Sequence, residues 1–182
     1  MILAEHVPHH DRMKKYCRAP MLMLGNQENN IGYSFGVDYR TLDPDGGDLS
    51  FDLNERIPSE WVEKCATVYN LGTLEHIWDV NKAFKNAAQI VKVGGHFLYH
   101  GPCAGYENHG VHVTDWKMVL KFFTLNGFNV VEYWFSDQFG RPCEDPQRGS
   151  GMSVILWLVA KKVVRVESFT CPQQVFKNGV KV

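Results

Sequence analysis

Glu75 and His76 stand just past an apolar run, Val68 to Leu71, that Gly72 ends, and Trp78 follows two residues on in "VYNLGTLEHIWD". A carboxylate beside an imidazole can move a proton near neutral pH, and a strand that only packs has no need of either at its end. The next imidazoles along the chain are His100, His109 and His112, the last two three residues apart. A zinc site wants three or four converging ligands. No acid or cysteine completes an obvious set with these three, so no metal is expected. His76 is expected to be a hydrogen-bonded structural residue, and His9-His10-Asp11 a surface feature.

Three further positions join a small residue or an acid to the end of an apolar run: Gly25 after "PMLML", Asp38 in "GYSFGVDY", and Asp52-Leu53 after "LSF". The elements that must carry them follow from the pattern. Short apolar runs stopped by Gly, Asn or Asp predict strands over 20–25, 32–39, 66–71, 96–101, 128–135 and 152–160, with a short one leading into Asp52. Asp79 can cap a helix striped by Val80, Ala83, Phe84, Ala87 and Val91, with Gly94-Gly95 as its stop. Thr114 can cap a second, striped by Trp116, Val119, Leu120 and Phe123 and ended by Asn126-Gly127. Alternating strands and helices predict an α/β fold, a mostly parallel sheet with helices on both faces. No helical pattern separates the last two strands, so the last strand is expected to run antiparallel. Open sheets of this type bind ligands at the carboxyl ends of their strands, where Gly72, Glu75 and His76 fall.

The 182 residues suit one well-buried domain over 20–162, with a helical or extended lead-in at 1–19 and a tail at 163–182. A net charge of −1 with no long basic block argues against nucleic acid as a partner. Five cysteines at scattered spacings, without a CxxC pair, read as reduced thiols and a cytoplasmic setting. The longest apolar run, "MSVILWLVA", is about half the ~20 residues of a membrane helix, so no membrane association is expected.

From "VYNLGTLEHIWDVNKAFKNAAQIVKVGGHFLYHGP" the chain resembles the class I S-adenosylmethionine-dependent methyltransferases, nearest to methyltransferase-like proteins of the type 11 kind. Leu74-Glu75-His76, Val93-Gly94-Gly95 and Gly101-Pro102 carry the likeness in order, spacing and element type. A weaker similarity runs through "NHGVHVTDWKMVLKFFTLNGF", which looks like a stretch in relatives near surface-sugar genes. The resemblance implies a compact Rossmann-like methyltransferase sheet and S-adenosylmethionine as cofactor. It implies that Gly25 lets the backbone approach the methionyl end, that Asp38 accepts from both ribose hydroxyls, and that Asp52 and the Leu53 N–H meet the adenine. Asn70, Leu71 and Gly72 would face the methionine part.

The implied activity is methyl transfer to a small polar acceptor, plausibly a sugar or sugar-derived hydroxyl. His109, in the loop after "HFLYHG", would be the general base, with Tyr106, Trp78 and Trp134 walling the acceptor pocket. The front half departs from the family pattern: "MLMLGNQENN" keeps Gly25 but no Gly-x-Gly, with Met23 in place of an acid, and the chain to Asp52 leaves little room for two helices. The alternative is therefore a non-catalytic methyltransferase-like binding domain with an eroded cofactor site. Oligomeric state is not readable from the sequence.

Overall fold

The tetrad Met21–Leu24, strand β1, buries all four side chains, which a strand can do only when both faces of its sheet are covered. A computed structural model shows how; it describes residues 4–26, 34–144, 152–172, 176–177 and 180–181. Helix α1 (Val7–Lys14) precedes β1. Then come β2 (Tyr39–Asp43), β3 (Leu49–Ser50), β4 (Cys65–Leu71), α2 (Val80–Ile90), β5 (Val91–Ala104), α3 (Trp116–Leu125), β6 (Phe128–Asp137), β7 (Pro142–Cys143) and β8 (Val154–Lys162). They build an eight-stranded sheet in the order β3-β2-β1-β4-β5-β8-β6-β7, and β9 (Phe176–Lys177) and β10 (Val180–Lys181) pair separately. Strands β3 to β5 run parallel, while β8 inserts antiparallel between β5 and β6. The mixed α/β sheet and its antiparallel strand match the expected Rossmann-like topology.

Alternation along the strands divides the core in two. Leu22, Leu24, Leu156, Leu158 and Ala160 face α2 and α3, meeting Phe84, Phe97 and Phe123. Met21, Met23, Ile155, Trp157 and Val159 face α1, meeting Met13 and Cys17. Asp79 caps α2, its Oδ1 accepting from the Lys82 N–H at 3.0 Å. The helix ends at Ile90, before the Gly94-Gly95 pair expected to stop it; the pair lies inside β5. The stop comes from elsewhere. The buried Lys162 ammonium donates to the carbonyls of Val91 at 2.7 Å and Ala88 at 3.4 Å, and pairs with Glu63 at 3.3 Å. A cation at a helix carboxyl end satisfies its last acceptors and complements its dipole. For α3 the cap is Asp115, accepting from the Lys117 N–H at 2.9 Å, rather than Thr114. Residues after β8 lie on this face too: Phe169 stacks on Phe122, and the Thr170 N–H donates to Asn126 Oδ1 at 2.7 Å.

Two corrections concern the front of the chain. The second strand is 39–43, not 32–39. Gly36 sits at φ +74°, outside extended backbone, and Phe35 turns into the α1-side core, so the aromatic run makes a loop. Pairing of Leu24 with Leu42 then sets the register. His9 and His10 are not surface residues. Both are buried, because α1 lays them with Met13 against Trp157. Among the described residues no helix is long and apolar enough to cross a membrane.

Candidate functional site

The parallel strands β1, β2 and β4 end side by side, and their ends are tied together. The Gly25 N–H donates to the Leu42 carbonyl at 2.8 Å, and the next N–H, of Asn26, donates to Asp43 Oδ2 at 2.9 Å. From the other side Thr73 Oγ1 donates to the Leu24 carbonyl at 2.7 Å. Gly25, at φ +85°, has no room for a side chain: a Cβ would lie 2.4 Å from Thr73 Oγ1. The result is a bare backbone turn with an acid, Asp43, beside it.

The register sets one expected residue apart from the others. Asp38 precedes β2, exposed at the amino ends of the strands, opposite the carboxyl ends where Gly25 and Gly72 lie. It lines a groove of about 730 Å³ there with Pro20, Tyr39 and Trp61. The acid at the carboxyl end of β2 is Asp43, with Gly25 as its neighbour. Asp52 and Leu53 follow β3. Asp52 Oδ1 accepts from the N–H and side-chain amide of Asn54, and Leu53 is buried with its carbonyl accepting from Asn86.

Past β4, Asn70 does the organising. Its Oδ1 accepts from the Thr73 and Leu74 N–H groups and its amide donates to the His100 carbonyl at 2.9 Å, so this side chain shapes the turn from within. Leu71 is buried, and the Gly72 N–H also donates to the His100 carbonyl, at 3.0 Å.

Leu74–His76 form one 3-10 turn that drives Glu75 inward, 3% exposed. Its Oε2 is sealed from solvent with no hydrogen-bond partner, and burial pushes the carboxyl up to about 7 against the opposing pull of its own backbone N–H. The loop after β5 folds back onto this residue. The N–H groups of Val111 and His112 donate to the Glu75 carbonyl at 2.7 and 3.0 Å, and Gly110 packs so closely that a Cβ would lie 2.9 Å from that oxygen. His109 is thereby brought edge-on to His76, ring centroids 5.0 Å apart, and 5.5 Å from Tyr106. Ligand-capable atoms of Glu75, His76 and His109 all lie within 4.8 Å of one another. The acid that comes near His109 is thus Glu75, and the imidazole grouped with them is His76 rather than His100 or His112. His76 is exposed rather than built in, and its imidazole is lowered by partial burial and then by His109.

Of the aromatic residues expected to wall a pocket, Trp78 is 80% exposed beside the cluster, its carbonyl accepting from His112 Nε2 at 2.9 Å. Trp134 lies elsewhere, stacked on Trp157 with its Nε1–H donating to His9 Nδ1 at 2.8 Å. A buried imidazole group under α1 also escaped sequence reasoning. His10 Nδ1 meets the Tyr69 hydroxyl at 2.9 Å, and His100 sits against Trp157, 4.4 Å between centroids, with both ring nitrogens sealed and unpartnered. Burial, first, and the neighbouring imidazoles, second, push His10 down to about 3 and His100 well below the usual histidine range.

No known family profile matches the sequence, and no curated protein is similar to it. Solved structures are similar in shape. A candidate methyltransferase from Bacillus halodurans superposes with a TM-score of 0.64 at 10% identity, over 87% of this chain and 99% of that one. The 1,6-didemethyltoxoflavin N1-methyltransferase of Burkholderia thailandensis, solved with that compound and S-adenosylhomocysteine, gives 0.60 at 10% identity, over 90% and 80%. The 4+2 cyclase SpnF gives 0.56 at 8%, over 86% and 81%. At such identities the likeness is one of architecture, and the chain carries the Rossmann-like fold of class I S-adenosylmethionine-dependent methyltransferases.

Proposed function

We propose that this protein binds S-adenosylmethionine across the carboxyl ends of β1, β2 and β4 and transfers its methyl group to a small polar acceptor, a sugar or sugar-derived hydroxyl. The observation that carries the reading is the pairing of the side-chain-free turn at Gly25 with the carboxylate of Asp43 at the next strand end. A cofactor with a ribose diol needs an acceptor of two hydrogen bonds beside backbone it can approach. Each Asp43 oxygen already accepts one backbone N–H, from Asn26 and from Asp45, and a carboxylate keeps further lone pairs for a diol. Asp52 and the Leu53 N–H are proposed for the adenine, and Gly72, with Leu71 and Asn70 behind it, for the methionine end.

The bound sulfonium supplies an already activated methyl group. The chain's task is alignment and proton removal. Glu75, His76, Tyr106 and His109 stand beyond Gly72, the side on which an acceptor would meet the methyl, and His109 is proposed to take the hydroxyl proton. Calorimetry with S-adenosylmethionine and S-adenosylhomocysteine tests the cofactor, and acceptor screening by mass for one added methylene tests the transfer. Saturable heat with both ligands is expected. Silence with both at millimolar concentration would move the protein to a second reading, a non-catalytic binding domain. One observation favours that alternative: β2 and β3 are joined by a turn, with no helix to cover an adenosine. Fold alone does not choose, since it also serves a cyclase.

A further inference from the structure

We infer that Glu75, His76 and His109 form a binding site for a borderline divalent cation, zinc first, with at least one coordination position open toward the acceptor side. Two imidazoles and one carboxylate are a donor set that such ions take, and a three-ligand site that leaves a place for water or substrate is the catalytic rather than the structural form. Among the described residues these are the side chains whose ligand atoms all fall within 4.8 Å. Donors around a tetrahedral zinc lie closer than that, roughly 3.3 Å for bonds of about 2.0–2.1 Å. Closing the remaining distance calls for rotation of the two exposed imidazoles toward the buried Glu75.

An independent observation points the same way. Glu75 Oε2 is buried without a hydrogen-bond partner in a residue 3% exposed. A carboxyl oxygen removed from water and left unpaired is costly, so a buried one calls for a partner. The main chain is arranged to keep His109 over it. Two N–H groups of the 109–112 loop donate to the carbonyl of Glu75 itself, and Gly110 alone fits against that carbonyl. These contacts fix the loop to the residue that carries the carboxylate, the sort of outer support that metal ligands have.

The cation's place in catalysis rests on the methyl-transfer reading; its binding does not. With a cation bound, Glu75, His76 and His109 would be its ligands, His109 would then not be the base, and the ion would supply Lewis-acid assistance to loss of the acceptor's hydroxyl proton to solvent. The C–S bond of the sulfonium then breaks as the O–C bond forms, leaving S-adenosylhomocysteine and the methyl ether.

The test uses the full chain stripped with chelator and titrated with Zn²⁺ by calorimetry and with Co²⁺ by visible absorption, Mg²⁺ serving as the hard-ion control. One equivalent of Zn²⁺ is expected to bind. Co²⁺ should give the intense visible bands of a four- or five-coordinate site and broaden the imidazole signals of His76 and His109 in NMR spectra. Glu75→Gln and His109→Ala should each weaken binding roughly tenfold or more. Glu75→Gln removes an unpaired buried acid, so it should fold at least as stably as the parent, and its loss of metal cannot be laid to unfolding. Absence of saturable Zn²⁺ and Co²⁺ binding in the parent, or binding that survives both substitutions at full strength, overturns the assignment. S-adenosylhomocysteine calorimetry on the same samples separates the two readings, because cofactor binding without metal, or metal binding without cofactor, identifies which one fails.

Discussion

Replacing His10 with Asn should make the protein's stability less sensitive to acid. His10 is held neutral in the folded chain, at about 3, by burial among His6 in the turn before α1, His9 on α1, His100 on β5 and Trp157 on β8, with Asp11 pulling the other way. Unfolded, it titrates at its ordinary 6.5. Between those values the unfolded chain binds the extra proton, so this residue's contribution is fully present above 6.5 and is lost as pH falls through the window toward 3. From pH 7 to pH 5 the loss is about 2 kcal/mol, each full proton difference being worth about 1.4 kcal/mol per pH unit. For a chain of this size that is a Tm change of about 4–8 °C.

Asn can keep a partner for the Tyr69 hydroxyl, which His10 Nδ1 meets at 2.9 Å, and it has nothing to titrate. Any fixed cost of the substitution shifts the whole Tm curve and leaves its slope alone. The assay is thermal unfolding of both proteins at five pH values from 7.5 to 5. The gap between the two curves should narrow, or reverse in favour of His10→Asn, by about 4–8 °C toward pH 5. Parallel curves would show that His10 is solvated or already charged in the fold, and the buried imidazole group under α1 would fall with it.

Other substitutions separate the elements of the site. Asp43→Ala should cost S-adenosylhomocysteine at least a tenfold loss of affinity by calorimetry, from charge-assisted hydrogen bonds worth about 1.5–3 kcal/mol, while Asp38→Ala should leave affinity unchanged. Equal effects of the two would return the ribose partner to doubt. Gly25→Ala forces a side chain into left-handed backbone and against Thr73, and should lower Tm by about 4–8 °C for roughly 2 kcal/mol of strain, with cofactor affinity falling as well. Gly110→Ala meets the Glu75 carbonyl at 2.9 Å and should release the 109–112 loop, read as faster amide exchange at Val111 and His112 with the rest of the sheet protected.

The parts of the fold legible in the sequence were those whose apolar runs are buried without a break and bounded by turn residues. Strand β4 is buried along six of its seven residues and is bounded by a glycine, so its span and the turn after it follow from the chain alone. Strand β2 does not announce itself. Its five residues, "YRTLD", bury only Thr41 and Leu42, whereas the preceding "YSFGV" has the richer aromatic content and buries Phe35 in a loop. Propensity favoured the wrong stretch, and the acid at the strand's carboxyl end is Asp43 rather than Asp38. The distance from Leu42 to the Asp43-Pro44 turn was the usable signal, since a parallel strand must end where its turn begins. His9 and His10 were misplaced for a similar reason. His10, Met13 and Cys17 recur at helical spacing, and that stripe, rather than the polarity of the imidazole, decides burial. The Glu75–His109 contact could not be read at all, because it depends on a loop returning over 34 residues to hydrogen-bond one carbonyl.

These misplacements share a physical origin in the short front of the chain. Five residues, 44–48, connect β2 to β3, too few for a crossover helix, so the α1 side of the sheet must be covered by something other than the usual succession of helices. The lead-in helix does it. Met13 and Cys17 join the core on that face while His9 reaches Trp157 and His10 reaches Trp157 and Tyr69, which is why imidazoles become core residues here. The same shortening leaves Asp43 and Asp52 at strand ends with only turns around them, so an adenosine there would be held by its polar contacts more than by enclosure. The Glu75 end is the reverse, a buried carboxylate with a loop fastened over it. With the cofactor placed as proposed, truncating an analogue at the methionine end should therefore cost more affinity than truncating it at the adenine.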